Sequence, residues 1–395
     1  MANNQLSLFN GTKQTVDEAI NLTIEKLNYH IKSNHHIVIS YSGGKDSTAV
    51  VTLFCDLLQK GLIPKPKSVT VVYADTRLEL PPLQSSAYQI MKQAKNYGVK
   101  NKIAVAPIDK RFLVYILGRG VPPPNNSTLR WCTQKIKVAP MMEAIEDIRN
   151  QLNPDERILM LTGVRVGESA IRDNRIIMSC SKNGAECGQG WFQHETGKST
   201  DTLAPIDHWR VCNVWDWLMF YASSLGFNTS LLAEVYGGDE ATEINARTGC
   251  IGCPLAKEDT ALNNLIRRPG WEYLTPLTEL KIIFQEMRQF NHRLQKTELT
   301  VLKNGKLGAN PNRKGPLLLE SRLYFLDKIL NIQNRINRNN PPVKIDLLNS
   351  LEVARIKKLI QLNTWPNGWD GTEEKGDVLT GQYNSNGDYQ PLIWE

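Results

Sequence analysis

The sequence predicts an α/β protein: a parallel, twisted sheet with helices on both faces, followed by a mainly helical C-terminal region. Three observations carry this expectation. Up to the run "RILMLTGVR", short β-branched stretches alternate with apolar helical ones, as parallel strands joined by crossover helices do. The chemically distinctive segments each follow one of those strands, and ligands of such sheets bind beyond the strands' carboxyl ends. Past residue 206 the strand pattern gives way to helical periodicity.

Taken in order, residues 15–32 place Val16, Ala19, Ile20, Ile24, Leu27 and Ile31 at helical spacing. Residues 37–40 form a short β-branched run, typical of a buried parallel strand. Residues 47–58 read as an almost wholly apolar helix closed by Gly61 and Pro64. "SVTVVYADT" is a second strand ending at Asp75, and a helix over 83–97 follows, stopped by Gly98. "KIAVAPI" is a third strand. After the loop "VPPPNNSTLR" come a helix over 134–152 and a fourth strand, "RILMLTGVR". Residues 171–202, rich in Gly, Ser, Asn and Lys, are expected to form a loop or lid. Helices are then expected near 213–226, 258–267, 273–297, 316–337 and 349–362. The expected division is an α/β domain over 1–205, a helical domain over 206–362 and an irregular tail over 363–395.

Composition narrows the class. With 41% hydrophobic and 22% charged residues, the 395-residue chain is not of the disordered type. The sequence lacks an apolar run of the roughly 18 residues that span a bilayer, and "MANNQLSLFNGTKQ" does not read as a secretory signal. A cytoplasmic protein without membrane contact is expected. Seven cysteines, an odd number, point toward metal or redox chemistry rather than a disulfide framework.

"SYSGGKDST", residues 40–48, joins the first strand to the apolar helix. Its glycine pair lets backbone N–H groups approach phosphate oxygens, and the helix start aims further N–H groups and a positive dipole end at the same anion. Ser42, Ser47 and Thr48 add hydroxyls and Lys45 adds charge. The stretch departs from the triphosphatase loop G-x-x-x-x-G-K-[ST], because Asp46 follows the lysine. After the second strand, "YADTRLELP" offers Asp75, Thr76 and Glu79, of which the two acids, Asp75 and Glu79, suit Mg²⁺ or a ribose hydroxyl. After the fourth, "TGVRVGESAIR" offers Gly163, Arg165, Glu168, Ser169 and Arg172, two of them arginines that suit bidentate phosphate contacts.

Cys250 and Cys253, in "ARTGCIGCPLAKED", have the spacing that chelates one metal or cluster. Cys132 follows the third strand's long loop and is a candidate to join them. Three readings stand at this point: an Fe–S cluster, a zinc site completed by His194 or His208, and a metal-free redox or persulfide-carrying pair. Cys55, inside the apolar helix, is expected to be a packed core thiol. Residues 303–338 hold Lys303, Lys306, Arg313, Lys314, Arg322, Lys328, Arg335 and Arg338 against Glu320 and Asp327. Such a stretch suits either a nucleic-acid backbone or a solvated helix face.

"SYSGGKDST" resembles the PP-loop of the ATP pyrophosphatases, a family with an adenine nucleotide alpha-hydrolase-like fold. Its members include phosphoadenylyl-sulfate (PAPS) reductases, tRNA thiolases and GMP synthetase. The resemblance implies that ATP and Mg²⁺ bind at the loop, that ATP is cleaved to AMP and pyrophosphate, and that an acceptor oxygen is adenylated. "DT-x-x-E-x-P" at 75–81, "LRWCTQKIK" with Arg130, Cys132 and Lys135, "TGVRVGESAIR" and "PIDHWRVCNVWDWL" resemble segments of sulfonucleotide reductases and of the DNA phosphorothioation sulfurtransferase family DndC. The DndC resemblance runs from the first strand to about Leu362, and the reductases' C-terminal Cys-Gly nucleophile has no counterpart after Cys253.

The resemblance implies Lys45, Asp46, Asp75, Arg165, Arg172 and Cys132 as catalytic residues. It implies nucleotide contacts from Ser42, Gly43, Gly44, Lys45, Asp46, Ser47, Thr48, Asp75, Thr76, Glu79, Gly163, Arg165 and Glu168. It further implies a 4Fe–4S cluster on Cys132, Cys250 and Cys253. DndC-like proteins carry another cysteine after a Gly-Gly upstream of the C-x-x-C, where this chain has Asp239 and Glu240, so Cys212, Cys180 or Cys187 becomes the candidate fourth ligand. The implied partners are a cysteine desulfurase as sulfur donor, other phosphorothioation proteins, and DNA reached through a complex. The alternatives are a sulfonucleotide reductase and a non-catalytic nucleotide-sensing subunit.

Overall fold

The computed structural model describes residues 15–32, 35–125, 130–166, 191–194, 200–236, 249–296, 313–338, 340–377, 381–383 and 389–391. At its centre lies β1 (His35–Tyr41), with β2 (Ser68–Asp75) and β3 (Lys100–Val105) to one side. On the other side lie β4 (Arg157–Leu161), β6 (Thr200–Ala204) and β5 (Trp191–His194), giving the order β3-β2-β1-β4-β6-β5. Five strands are parallel, and β5 alone runs antiparallel, along β6.

Strand alternation splits the core between the two faces of the sheet. Ile37, Ile39, Val71, Leu159 and Leu161 pack on one side against residues of α1 (Val16–His30), α2 (Lys45–Gln59) and α3 (Pro81–Ala94). Val38, Val72 and Ile158 pack on the other against Ala144 and Ile145 of α4 (Ala139–Arg149). Because helices cover both faces, the strands read as apolar runs rather than alternating ones. Val50, Val51, Leu53, Phe54 and Leu57 of α2 are all buried, and each such side chain contributes about 1.5–3 kcal/mol. The chain leaves β1 toward β2 on one side and later reaches β4 on the other. The reversal opens a crevice at the carboxyl ends of β1 and β4.

The structure corrects the sequence expectation in three places. Part of the expected loop over 171–202 is β5 and the start of β6. β6, "TDTLA", reads as polar because the buried Asp201 is matched across the sheet by Arg157, with its Nε and Nη2 donating at 3.1 and 3.0 Å. A charge so matched can sit inside a sheet. The helix expected over 273–297 is broken. Pro276 lies in a tight 3₁₀ segment, Glu272–Thr278, which precedes a short α-helix, Glu279–Glu286, and the strand Arg293–Lys296. The helix expected over 134–152 opens with a π-helical turn, Thr133–Val138.

The C-terminal helices share one core with the α1–α2–α3 face through Phe284, Leu326 and Ile356. Much of the basic stretch is engaged within the fold. Arg322 is fully buried, donates to the carbonyls of Leu317, Gly118 and Thr364, and stacks on Trp365. Lys328 pairs with Glu286 and Arg335 with Glu279. Lys303 and Lys306 lie outside the described residues. No helix among the described residues is long and apolar enough to cross a membrane.

Candidate functional site

Beyond Tyr41 the chain turns through Gly43, whose φ is +76°. A Cβ there would also meet that of Ala87 at 3.2 Å, so only glycine is unstrained in this turn. Gly44 stands at the N-cap of α2 and has no side chain to cap the helix, which leaves first-turn N–H groups for other acceptors. Ser47 Oγ and Thr48 Oγ1 each donate to the Gly44 carbonyl at 3.0 Å, and Ser42 Oγ lies 3.1 Å from Ser47 Oγ. These hydroxyls brace the loop on itself.

The charges converge from two strand ends. Lys45 Nζ is 3.2 Å from Asp46 Oδ2, and Arg165 Nε donates to Asp46 Oδ1 at 2.5 Å. Both cations are buried. Gly163 makes the approach of Arg165 possible. A Cβ on it would lie 2.7 Å from Ser47 N and 2.9 Å from the Asp46 carbonyl carbon, so the loop after β4 lies flat on the first turn of α2. Arg165 is steadied further by the Trp209 carbonyl, and Val166 N by that of Asp207. Asp207 in turn pairs at 2.5 Å with buried Lys26 of α1.

Sequence reasoning missed Tyr236, the last residue of the helix Ser230–Tyr236. Its hydroxyl accepts the Lys45 N–H at 3.4 Å, its ring lies 5.0 Å under the Lys45 ammonium, and Trp215 packs edge-on against it. An aromatic side chain at a helix end gives no sequence signal beyond ordinary packing.

The loop after β2 forms the second half of the site. Asp75 accepts from Arg77 N at 2.8 Å and from Tyr88 Oη at 3.2 Å. Glu79 accepts from Thr76 Oγ1 at 2.6 Å, and its carboxyl pKa is raised by burial against the opposing pull of that bond. Both predicted acids therefore hold their own loop in shape.

The C-x-x-C docks on this loop. Cys250 to Cys253 is a tight turn with Cys253 N donating to the Cys250 carbonyl at 3.1 Å. Its Gly252 has φ +62° and gives its N–H to Asp259 at 2.9 Å. Ile251 N donates to the Leu78 carbonyl at 2.8 Å, and Cys250 Sγ lies 4.0 Å from Thr76 Oγ1.

Cys132, distant in sequence, joins them electrostatically. The Lys137 ammonium is held above its ordinary pKa by Cys250 first, then by Glu79, Cys132 and Cys253. Burial pushes the Cys250 thiol up to about 11, with Lys137 opposing, and raises the Cys132 thiol as well. Lys135, the lysine of the matched motif, lies over the Tyr115 ring at 4.6 Å.

The raised value has a measurable consequence. Below a pKa near 11 the reactive thiolate is a minor fraction, so alkylation of Cys250 is expected to quicken about tenfold per pH unit between roughly pH 7 and 10. Peptide mapping after iodoacetamide treatment measures this, and a flat profile contradicts it.

Among the described residues, Cys55, Cys212 and His208 have other surroundings. Cys55 is fully buried, with its thiol pushed up to about 12, as a core residue is. Cys212 is exposed on the helix Val211–Asp216. His208 is engaged on both ring nitrogens, by Lys26 and Asp207 at Nδ1 and by the Ala19 carbonyl at Nε2. Among the described residues, no group of three or more His, Cys, Asp or Glu is placed to hold a metal ion. The described residues alone therefore do not complete a 4Fe–4S or zinc ligand set around Cys132, Cys250 and Cys253. Glu168, Ser169, Arg172, Cys180, Cys187, Asp239 and Glu240 lie outside the described residues, and the side chain of His194 is likewise not described.

No curated protein matches the chain. Among solved structures, the PAPS reductase of Candida auris, in a phosphate complex, is 13% identical, covering 60% of this chain and 93% of its own, with a TM-score of 0.34. The U34-tRNA thiolase of Methanococcus maripaludis, solved with its 4Fe–4S cluster, is 14% identical, covering 69% and 82%, also with a TM-score of 0.34. Residues 36–223, the segment that carries the glycine loop, Asp75, Cys132 and Arg165, match the phosphoadenosine phosphosulfate reductase domain family.

Proposed function

We propose that the protein is an ATP pyrophosphatase with a sulfurtransferase role of the DndC type. It cleaves ATP to AMP and pyrophosphate, adenylates an acceptor oxygen, and replaces that oxygen with sulfur; the acceptor is a DNA backbone phosphate. The observation that carries the reading is the pairing of buried Lys45 and Arg165 on one loop carboxylate, Asp46, at an α-helix start with no side-chain cap. Such a start offers N–H groups and a positive dipole end to an anion. Two cations fixed beside it stabilise the charge that builds on a departing pyrophosphate, where water is largely excluded.

Mg²⁺ entering with the nucleotide would neutralise phosphate charge, and Asp75 is the acid that would meet it. Sulfur arrives as a persulfide on Cys132, Cys250 or Cys253, transferred by a cysteine desulfurase. The terminal sulfur bonds to phosphorus while the bond to AMP breaks. A second thiol of the group then attacks the inner sulfur, releasing the phosphorothioate and leaving a disulfide for a cellular dithiol to reduce. Placement of the Cys250 thiol against Thr76, next to Asp75, supports a short path between the two stages. Other phosphorothioation proteins present the DNA, in the cytoplasm.

ATP labelled on the α- and γ-phosphates tests this directly: AMP and pyrophosphate are expected, and ADP with phosphate overturns it. The family match favours one further reading, sulfonucleotide reduction, which thioredoxin-dependent sulfite release from PAPS would establish.

Tyr236 offers a finer test. Its hydroxyl occupies the Lys45 N–H that a phosphate oxygen would take. Tyr236→Phe is therefore expected to tighten inorganic pyrophosphate binding roughly two- to tenfold, the worth of one ordinary hydrogen bond. Calorimetric titration measures it, and weaker binding would show that the hydroxyl serves the ligand instead.

A further inference from the structure

We infer that Arg77 and Glu352 are positioning residues, an ionic strut by which the C-terminal helix Ser350–Gln361 holds the Asp75–Glu79 loop in its working shape. This rests on the proposed function for what the loop does, while the strut itself stands on geometry. Arg77 has φ +63°, in the left-handed region that side-chain-bearing residues avoid. That backbone turns its N–H onto Asp75 Oδ1 at 2.8 Å. The residues on either side complete the site: Thr76 bonds Glu79 and faces Cys250, and the Leu78 carbonyl receives Ile251 of the C-x-x-C turn.

The Arg77 guanidinium reaches the C-terminal region. Its Nη2 donates to Asp346 Oδ2 at 2.8 Å, to the Asp346 carbonyl at 3.1 Å and to Glu352 Oε2 at 3.3 Å. Glu352 is only 2% exposed. Its Oε1 takes Arg111 Nη1 at 3.0 Å, and Arg111 Nε donates to the Ala106 carbonyl just past β3. Its Oε2 also accepts Asn349 N, closing the capping box at the helix start. One buried carboxylate thus ties the ends of β2 and β3 to a helix more than 240 residues away in sequence. Strained backbone persists only where surrounding contacts over-determine it, and here the contacts that do so end on Glu352 and Asp346.

Glycine separates positioning from folding, because it adopts φ +63° without strain. Arg77→Gly keeps the turn available and removes only the strut. The variant is expected to fold, with its far-UV circular dichroism preserved. Alkylation of Cys250 in the nucleotide-free protein is expected to rise about fivefold as the loop loosens. The kcat for AMP and pyrophosphate formation should fall about tenfold or more, with KM for ATP changed less than about threefold, because misplacement acts on the reacting geometry. Arg77→Lys, which can still reach the carboxylates, should recover part of both. Glu352→Gln should move both readouts the same way, and decides the matter if Arg77→Gly fails to fold.

Cys250 labelling and kcat both within about twofold of the unsubstituted protein in Arg77→Gly and Glu352→Gln would overturn the strut. If the unsubstituted protein forms no AMP and pyrophosphate, the functional reading fails, and the labelling rates still decide the strut.

Discussion

Replacing Asp46 with asparagine is expected to destabilise the protein by about 3–5 kcal/mol and to make its stability respond to pyrophosphate. The Asp46 carboxylate meets Lys45 on one oxygen and Arg165 on the other, and all three side chains are largely withdrawn from water. An amide keeps the shape and loses the charge, so two buried cations lose the carboxylate they share. Removing one partner of a buried ion pair is far costlier than the modest net worth of the pair itself. A phosphate ligand supplies the missing negative charge, so the variant gains more from it than the parent does. At a hundredfold excess over Kd, binding stabilises by about 2.7 kcal/mol. Urea unfolding with and without inorganic pyrophosphate measures both effects. Lys45→Met in the Asp46→Asn background should restore part of the loss by removing one of the two cations, a coupling a double-mutant cycle reads out. A single variant as stable as the parent, or indifferent to pyrophosphate, would show that the loop cations are solvated.

Cys250→Ser with Cys253→Ser is expected to abolish sulfur transfer while leaving pyrophosphate release within about threefold of the parent. Lys45→Met should show the reverse selectivity, lowering pyrophosphate release about 10²–10³-fold, the usual loss of a preorganised charge contact. It should leave Cys250 alkylation unchanged. The separation is expected because the two chemistries sit on different strand ends. The cations stand where the loops after β1 and β4 meet, and the Cys250–Cys253 turn leans on the loop after β2 through Thr76 and Leu78. Serine keeps the size of each side chain close and removes the nucleophile, so the tight turn around Gly252 should survive. The checks are labelled-ATP product analysis and transfer of ³⁵S from a desulfurase to a DNA acceptor. Loss of pyrophosphate release in the double cysteine variant would join the thiols to the first step.

Much of the site was legible before any coordinates, and for a local reason. Strand, glycine turn and helix are contiguous in "HIVISYSGGKDSTAVV", so Gly43, Gly44 and Lys45 announce their arrangement within a few residues. Arg165 likewise stands out at the end of another strand. Its partner does not, because Arg165 meets Asp46 across 119 positions, through the close approach that Gly163 permits. Lys135 of the motif sits over Tyr115 while Lys137 bears on the thiols electrostatically, because the segment opens as a π-helical turn whose side-chain directions no pattern determines. β6 was hidden because Asp201 makes a buried strand look like a loop until Arg157 is seen beside it.

The sequence by itself determined the parallel α/β sheet and singled out the glycine loop and the thiols as candidates, because strand, turn and helix signals lie among neighbouring residues. Only the tertiary structure decided the company these groups keep. Tyr236 lies against Lys45 from 191 positions away, Cys250 against Thr76 from 174, and Glu352 holds Arg77 from 275. Such pairings depend on strand order and helix packing, where one buried carboxylate or one glycine's missing Cβ selects the partner, and no local pattern records that choice.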